Sequence, residues 1–257
     1  MFRLLHKDKS SKARVGKIVT SHGEVDTPVF MPVGTQGTVK AISNAELKES
    51  GARIILGNAY HLFLRPGLDI IKKAGGLHKF MGWDRPILTD SGGYQVFSLA
   101  TLRKLSEDGV EFSSHIDGAK HFLTPERAVE IQEILGSDIM MTLDECVHYP
   151  APRDYVEQSL ALTTRWARRS KEYFRRPQTV DQPVPAGAKD MPGRPQTYTR
   201  QLLFGIVQGS TYLDLRKRAV SDLLEIGFDG YAIGGVSVGE GQDLIYEVAD
   251  YTASLLP

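Results

Sequence analysis

Thr124-Pro125-Glu126-Arg127-Ala128-Val129-Glu130-Ile131-Gln132-Glu133-Ile134-Leu135-Gly136, continued by Ser137-Asp138-Ile139-Met140-Met141-Thr142-Leu143-Asp144, decides the fold. Thr124 is an N-cap residue, Pro125 suits the first helical position, and Glu126 puts a negative charge at the positive end of the helix dipole. Gly136 supplies the stop. The apolar run Ile139–Leu143 is short enough for a buried strand, and it ends on a carboxylate, Asp144. A helix leading through a glycine into a buried strand is the repeating unit of a parallel α/β sheet.

The same grammar extends in both directions. Upstream, Lys17–Ser21 and Glu24–Val33 flank a hairpin turn at His22-Gly23, forming an antiparallel prelude over residues 1–28. Val29–Val33 is expected as a strand, and Ser43 with Glu46 three residues on makes a capping box. Arg53–Leu56 is a strand, Leu68–Ala74 a helix closed by Gly75-Gly76, and Pro86–Thr89 a strand. Glu111–Phe122 reads as a hairpin turning at Asp117-Gly118. Downstream, Val156, Leu160, Thr163 and Ala167 share one face of a helix from about Arg153 to Phe174. Leu203–Val207 and Tyr231–Ile233 are strands, each followed by a helix, Tyr212–Ile226 and Gln242–Leu255. That makes six βα units over 29–257. An open doubly wound sheet and a closed barrel both accommodate them, and a (β/α)8 barrel lacking its last two βα units is the expectation, because eight units close the ring. Residues of about 175–200, rich in proline and glycine, read as an insertion loop.

Composition bounds the function. With 41% hydrophobic and 24% charged residues the chain is an ordinary globular sequence, and 31 basic against 31 acidic side chains leave no basic footprint at whole-chain level. No apolar run approaches the ~18 residues of a membrane span. The first residues lack the apolar core of a secretory signal, so cytoplasmic localisation is expected. One cysteine, Cys146, excludes an intrachain disulfide and a multi-cysteine metal site.

Barrel chemistry gathers at the C-terminal ends of strands. Those ends carry Asn58, Asp90, Asp144, Gln208 and the pair Gly234-Gly235. A carboxylate at Asp144 accepts two hydrogen bonds from the N1–H and exocyclic amine of guanine. A carboxamide at Gln208 and the amide of Gly235 supply donors for a carbonyl oxygen and a ring nitrogen. Tyr94 stacks on such a base or, alternatively, packs into the barrel. Asp90 remains as general acid/base or nucleophile. The reading requires Asp90, Asp144, Gln208 and Gly235 to surround one cavity.

Thr89-Asp90-Ser91-Gly92-Gly93-Tyr94-Gln95-Val96-Phe97-Ser98 closely resembles the signature of queuine tRNA-ribosyltransferases. Similar matches are Gly57-Asn58-Ala59-Tyr60-His61-Leu62, Ser114-His115-Ile116-Asp117-Gly118, Asp144-Glu145-Cys146, Gly205-Ile206-Val207-Gln208-Gly209 and Ile233-Gly234-Gly235-Val236-Ser237-Val238-Gly239-Glu240, all in family order. The resemblance implies a tRNA-guanine transglycosylase of bacterial type, a glycosyltransferase of queuosine biosynthesis. It would replace guanine at the wobble position of a tRNA with a GU(N) anticodon by 7-aminomethyl-7-deazaguanine, through a covalent glycosyl-enzyme intermediate and after flipping the base out. It further implies Asp90 as proton acceptor, and Asp90, Ser91, Gly92, Gly93, Tyr94, Asp144, Cys146, Gln208, Gly234, Gly235 and Val236 as base-binding residues. Glu240 stands behind the Val236-Ser237 peptide, the segment that adapts to the aminomethyl group, and Val238 matches the bacterial form. Family members are often homodimers and carry a structural zinc.

The departures carry their own expectations. The family's nucleophilic aspartate lies in an Asp-Cys-Val-x-Pro-Thr-Arg motif that this sequence lacks, and the zinc ligands, three cysteines and a histidine, follow it. No metal site is therefore expected in this chain. Alignment of a nucleophile is worth roughly 7–11 kcal/mol, so a C-terminally truncated chain is expected to bind base without exchanging it. Ser210 stands where the family has glycine. Two other readings stay open: a glycosidase-like barrel using Asp90 and Asp144 as a carboxylate pair, and a non-catalytic subunit binding base or tRNA.

Other features read as scaffold. The basic run from Arg165 to Arg176 is expected to be a solvated helix face whose stems lie on apolar surface. Trp83 and Trp166 are expected in the core. His61 is expected to position the pocket, and His115, His121 and His148 lack metal spacing.

Overall fold

The computed structural model describes residues 2–99, 102–175 and 201–257, so the expected insertion at about 175–200 lies, apart from Arg175, outside the described residues. The chain opens with β1 (Phe2–Lys7), β2 (Arg14–Thr20) and β3 (Gly23–Thr27). Then follow β4 (Val33–Gly34), α1 (Asn44–Glu49), β5 (Ile55–Gly57), α2 (Ala59–Leu64), α3 (Leu68–Ala74), α4 (Leu77–Met81) and β6 (Ile87–Thr89). Next come α5 (Gly93–Leu99), β7 (Arg103–Leu105), β8 (Val110–Ser113), β9 (Lys120–Leu123), α6 (Pro125–Leu135) and β10 (Ile139–Met141). The remainder is α7 (Arg153–Arg175), β11 (Leu202–Val207), α8 (Leu213–Ile226), β12 (Gly230–Ile233) and α9 (Gln242–Leu255). The fold is α/β with parallel strand pairing, as the alternation of elements requires.

Two compact units divide the chain. The first runs to Asp90 and takes in Glu130–Met140 with Gln201 and Leu202; the second takes the other described residues. In the first, β2 pairs antiparallel with β1 and β3, Thr20 opposite Gly23, so the expected hairpin forms. The parallel strands of this unit follow the order β4, β5, β6, β10, with Val33 beside Leu56, Ile55 beside Ile87, and Leu88 beside Ile139. The strand expected at Val29–Val33 contracts to Val33–Gly34. Pro28 and Pro32 bracket that stretch, and proline has no N–H to give to a ladder. The carbonyl of Pro32 still accepts from Leu56 at 2.9 Å. The capping box at Ser43 forms in both directions, Glu46 N–H donating to Ser43 Oγ and Ser43 N–H to Glu46 Oε2. Trp83 is buried as expected, its indole N–H donating to Pro86 O at 3.2 Å.

Asp138 ties this unit together from the start of β10. Its Oδ2 accepts the Ile87 amide at 2.9 Å and His78 Nε2 at 3.1 Å, and its Oδ1 accepts the His22 amide at 3.2 Å and His22 Nδ1 at 2.8 Å. One carboxylate thereby joins the β2–β3 turn, α4, and the first residue of β6. Burial alone raises its pKa, but the hydrogen bonds and charges of His22 and His78 outweigh that and hold it well below the usual carboxylate range.

In the second unit β8 pairs antiparallel with both β7 and β9, and β11 runs parallel to β12 with Val207 beside Ile233. α7 buries Val156, Leu160, Thr163 and Ala167, the face read from periodicity, and Trp166 with them. α8 packs onto that face through Leu215, Ala219, Val220 and Leu223. Among the described residues, no helix is long and apolar enough to cross a membrane.

Candidate functional site

Asp90, in the first unit, follows β6 directly. Its amide donates to Gly57 O at 3.2 Å, while its Oδ1 accepts the Ala59 amide at 2.9 Å and its Oδ2 accepts Asn58 Nδ2. The carboxylate therefore caps the N-terminus of α2 and is held by the residue that ends the neighbouring strand. Asn58 and Asp90, both read from strand ends, do converge. The capping role is a new finding, because α2 is too short to leave a periodic signal in the sequence.

The second unit holds the remaining candidates. Asp144, 6% exposed, accepts Gln208 Nε2 at 2.6 Å on Oδ2 and Ser91 Oγ at 3.4 Å on Oδ1. Gly93 donates its amide to Ser91 Oγ at 3.2 Å and passes so near that a Cβ there would lie 2.7 Å from Asp144 O and 2.8 Å from Asp144 Oδ1. Only glycine fits. Gly235 takes φ +61°, and a Cβ on it would fall 2.2 Å from Gln208 Oε1. Cys146 lies in the same neighbourhood: burial and the Asp144 charge push its thiol up to about 12, against a hydrogen bond from the Gly235 backbone. The thiol is thereby held neutral. Glu240 accepts the amides of Ser237 and Val238, the latter at 2.8 Å, and so holds the loop after β12. Ser237 and Ser210 both have positive φ, at 63° and 49°.

Tyr94, at the start of α5, is 52% exposed. The basic run divides: Arg165 forms two hydrogen bonds with the Glu107 carboxylate, Arg169 does the same with Glu126, and Lys171 is buried over the rings of Phe174 and Phe228. A groove of about 280 Å³ beside it mixes Arg168, Lys171 and Arg175 with Glu172 and Glu225. That mixture of signs supports the scaffold reading over phosphate contact.

Sequence reasoning missed Arg216. Its guanidinium is fully buried and donates to the carbonyls of Ser210 (2.7 Å), Val207 (2.8 Å), Gly234 (2.6 Å) and Gly235 (2.9 Å). The signal was present, because Arg216 lies three, four and seven residues before Ala219, Val220 and Leu223 on the buried stripe of α8. Glu145 was also passed over; it is buried, and the Tyr155 hydroxyl donates to it.

For a metal, the chain's one cysteine does not fit a set of three cysteines and a histidine. His22, His78 and Asp138 bring ligand atoms within 4.8 Å of one another. Their rings, however, stack with centroids 3.5 Å apart and planes 15° from parallel. Imidazole lone pairs lie in the ring plane, so two stacked rings do not aim at one ion. The carboxylate also accepts two backbone amides. This is a hydrogen-bonded knot.

Residues 8–257 match the family model described as Queuine tRNA-ribosyltransferase. The chain is 57% identical over 256 residues to the queuine tRNA-ribosyltransferase of Caldanaerobacter subterraneus subsp. tengcongensis, 55% to that of Thermoanaerobacter pseudethanolicus and 54% to that of Acetivibrio thermocellus. Each alignment takes in 100% of this chain and 63% of the relative, so the chain spans just under two thirds of their length.

Proposed function

This chain belongs to the queuine tRNA-ribosyltransferase family, and from that premise we propose that it carries the base-recognition half of a tRNA-guanine transglycosylase. In this reading its strands are part of an eight-stranded barrel. Asp144 accepts from the N1–H and exocyclic amine of guanine or 7-aminomethyl-7-deazaguanine. Gln208 and the Gly235 amide donate to the base, Tyr94 stacks on it, and Ser91, Gly92, Gly93, Cys146, Gly234 and Val236 complete the lining. Asp90 is the proton acceptor of the exchange. The whole protein acts in the cytoplasm on the wobble guanine of a tRNA with a GU(N) anticodon, as a homodimer with a structural zinc.

One observation carries the reading. Gln208 donates to Asp144 at 2.6 Å, with the Gly235 backbone against the same carboxamide, so a donor and an acceptor suited to the Watson–Crick edge of guanine sit side by side. Base binding replaces that internal bond. Calorimetric titration of this chain with guanine and adenine tests it: guanine should bind and adenine, with its donor and acceptor positions exchanged, should not. Equal binding of the two would remove the assignment. Radiolabelled guanine should not enter tRNA with this chain alone, which lacks the family's nucleophile motif; incorporation would overturn that part.

A further inference from the structure

We infer that Arg216 is a positioning residue for base recognition, a role that rests on the base-binding reading above. Its buried fork fastens the end of β11 and the loop after it, through Val207 and Ser210, to the loop after β12, through Gly234 and Gly235. In a trans peptide the C=O and N–H point in opposite directions. With the carbonyls of Gly234 and Gly235 turned onto the guanidinium, the amides of Gly235 and Val236 face the other way. The Gly235 backbone lies against the Gln208 carboxamide that donates to Asp144, and its hydrogen bond opposes the upward shift of the Cys146 thiol. Two successive amides turned to one side form a concavity for an electron-rich oxygen. A left-handed Gly235 permits this turn, with φ +61° and no room for a Cβ against Gln208.

The charge adds to the geometry. Burial pulls the Arg216 pKa down to about 10, with Cys146 and Glu240 opposing the shift, so it stays cationic at neutral pH. A cation hydrogen-bonded to a carbonyl polarises that peptide and strengthens its N–H as a donor. Arg216 touches no base in this scheme. It aims and sharpens the amide that does.

The test separates aim from mere stability by using three purines on the intact chain. Guanine and 6-thioguanine differ at the C6 acceptor, where the Gly235 amide works; guanine and hypoxanthine differ at the exocyclic amine, where Asp144 works. For wild type, guanine should bind more tightly than either analogue. Arg216→Lys keeps the charge but loses the fork, and its preference for guanine over 6-thioguanine should fall about tenfold, while its preference over hypoxanthine stays within about twofold. An unchanged thioguanine ratio overturns the inference and leaves the proposed function standing. Parallel loss of both ratios, with a lowered melting temperature, assigns Arg216 to the scaffold and also overturns it. Failure of wild type to bind guanine would instead remove the function reading. If the lysine variant does not fold, NMR on the unaltered chain decides: guanine should shift the Gly235 amide proton while the couplings from Arg216 to the Gly234 and Gly235 carbonyls persist. Loss of those couplings on binding overturns the role.

Discussion

Asp138 in the first unit and Asp144 in the second are both buried carboxylates within three residues of β10, and they are solvated by the protein in different ways. Asp138 accepts two backbone amides and two imidazoles. Asp144 accepts from the side chains of Gln208 and Ser91. Backbone donors are fixed by the strands that carry them, whereas a carboxamide and a hydroxyl can turn away when a ligand arrives. The first arrangement builds structure, and the second is the one proposed above to exchange its partners for a base. Burial alone does not distinguish the two; the identity of the donors does.

That contrast can be broken at several points. The largest effect is expected from Asp138→Ala, which strands two histidines and an amide and should lower unfolding free energy by about 3–5 kcal/mol in urea titrations. Asp144→Asn should lower it by less than about 1.5 kcal/mol while abolishing guanine binding. Equal losses of stability would erase the distinction. Next comes Gly93→Ala, whose added methyl meets the Asp144 backbone and carboxylate. It should cost about 1–3 kcal/mol and remove guanine binding, and an alanine variant that binds normally would show Asp144 free to move aside.

The smallest expected effect is the pH dependence of stability. Burial lowers the His78 pKa more than Asp138 raises it. An unfolded histidine binds its proton near pH ~6.5, so the folded chain should lose stability as pH falls below that value. Asp138, depressed below an unfolded value near ~3.9, contributes stability that is present above that pH and lost beneath it. Denaturation midpoints should therefore fall in two stages, and His78→Gln should flatten the upper one. A wild-type profile level from pH 7 to 4 would contradict the neutral His78.

Legibility followed the length of each pattern. Long amphipathic helices such as Arg153–Arg175 and Gln242–Leu255, the capping box at Ser43, and the Asp117-Gly118 hairpin were readable because several local preferences agree over many residues. Ala59–Leu64, Leu77–Met81 and Gly93–Leu99 were not, since five to seven residues hold too few turns to show a period. Phe2–Lys7 was missed because all six residues are exposed and give no alternation. At the site, Asp144, Gln208 and Gly235 were readable as strand ends. Arg216, beside Lys217 and Arg218, was missed although its place on the buried stripe of α8 marked it.

The residues themselves determined the order of strands and helices, the family, and the set of groups proposed to read a purine edge, because helix caps, periodicity and functional-group chemistry are local properties. Only the tertiary structure decided which carboxylate serves as scaffold, which way the Gly235 amide faces and what holds it there. Those depend on contacts between residues six to over a hundred positions apart in the chain, such as Arg216 with Ser210, Gly234 and Gly235 and Asp138 with His22. A linear pattern carries no such distances.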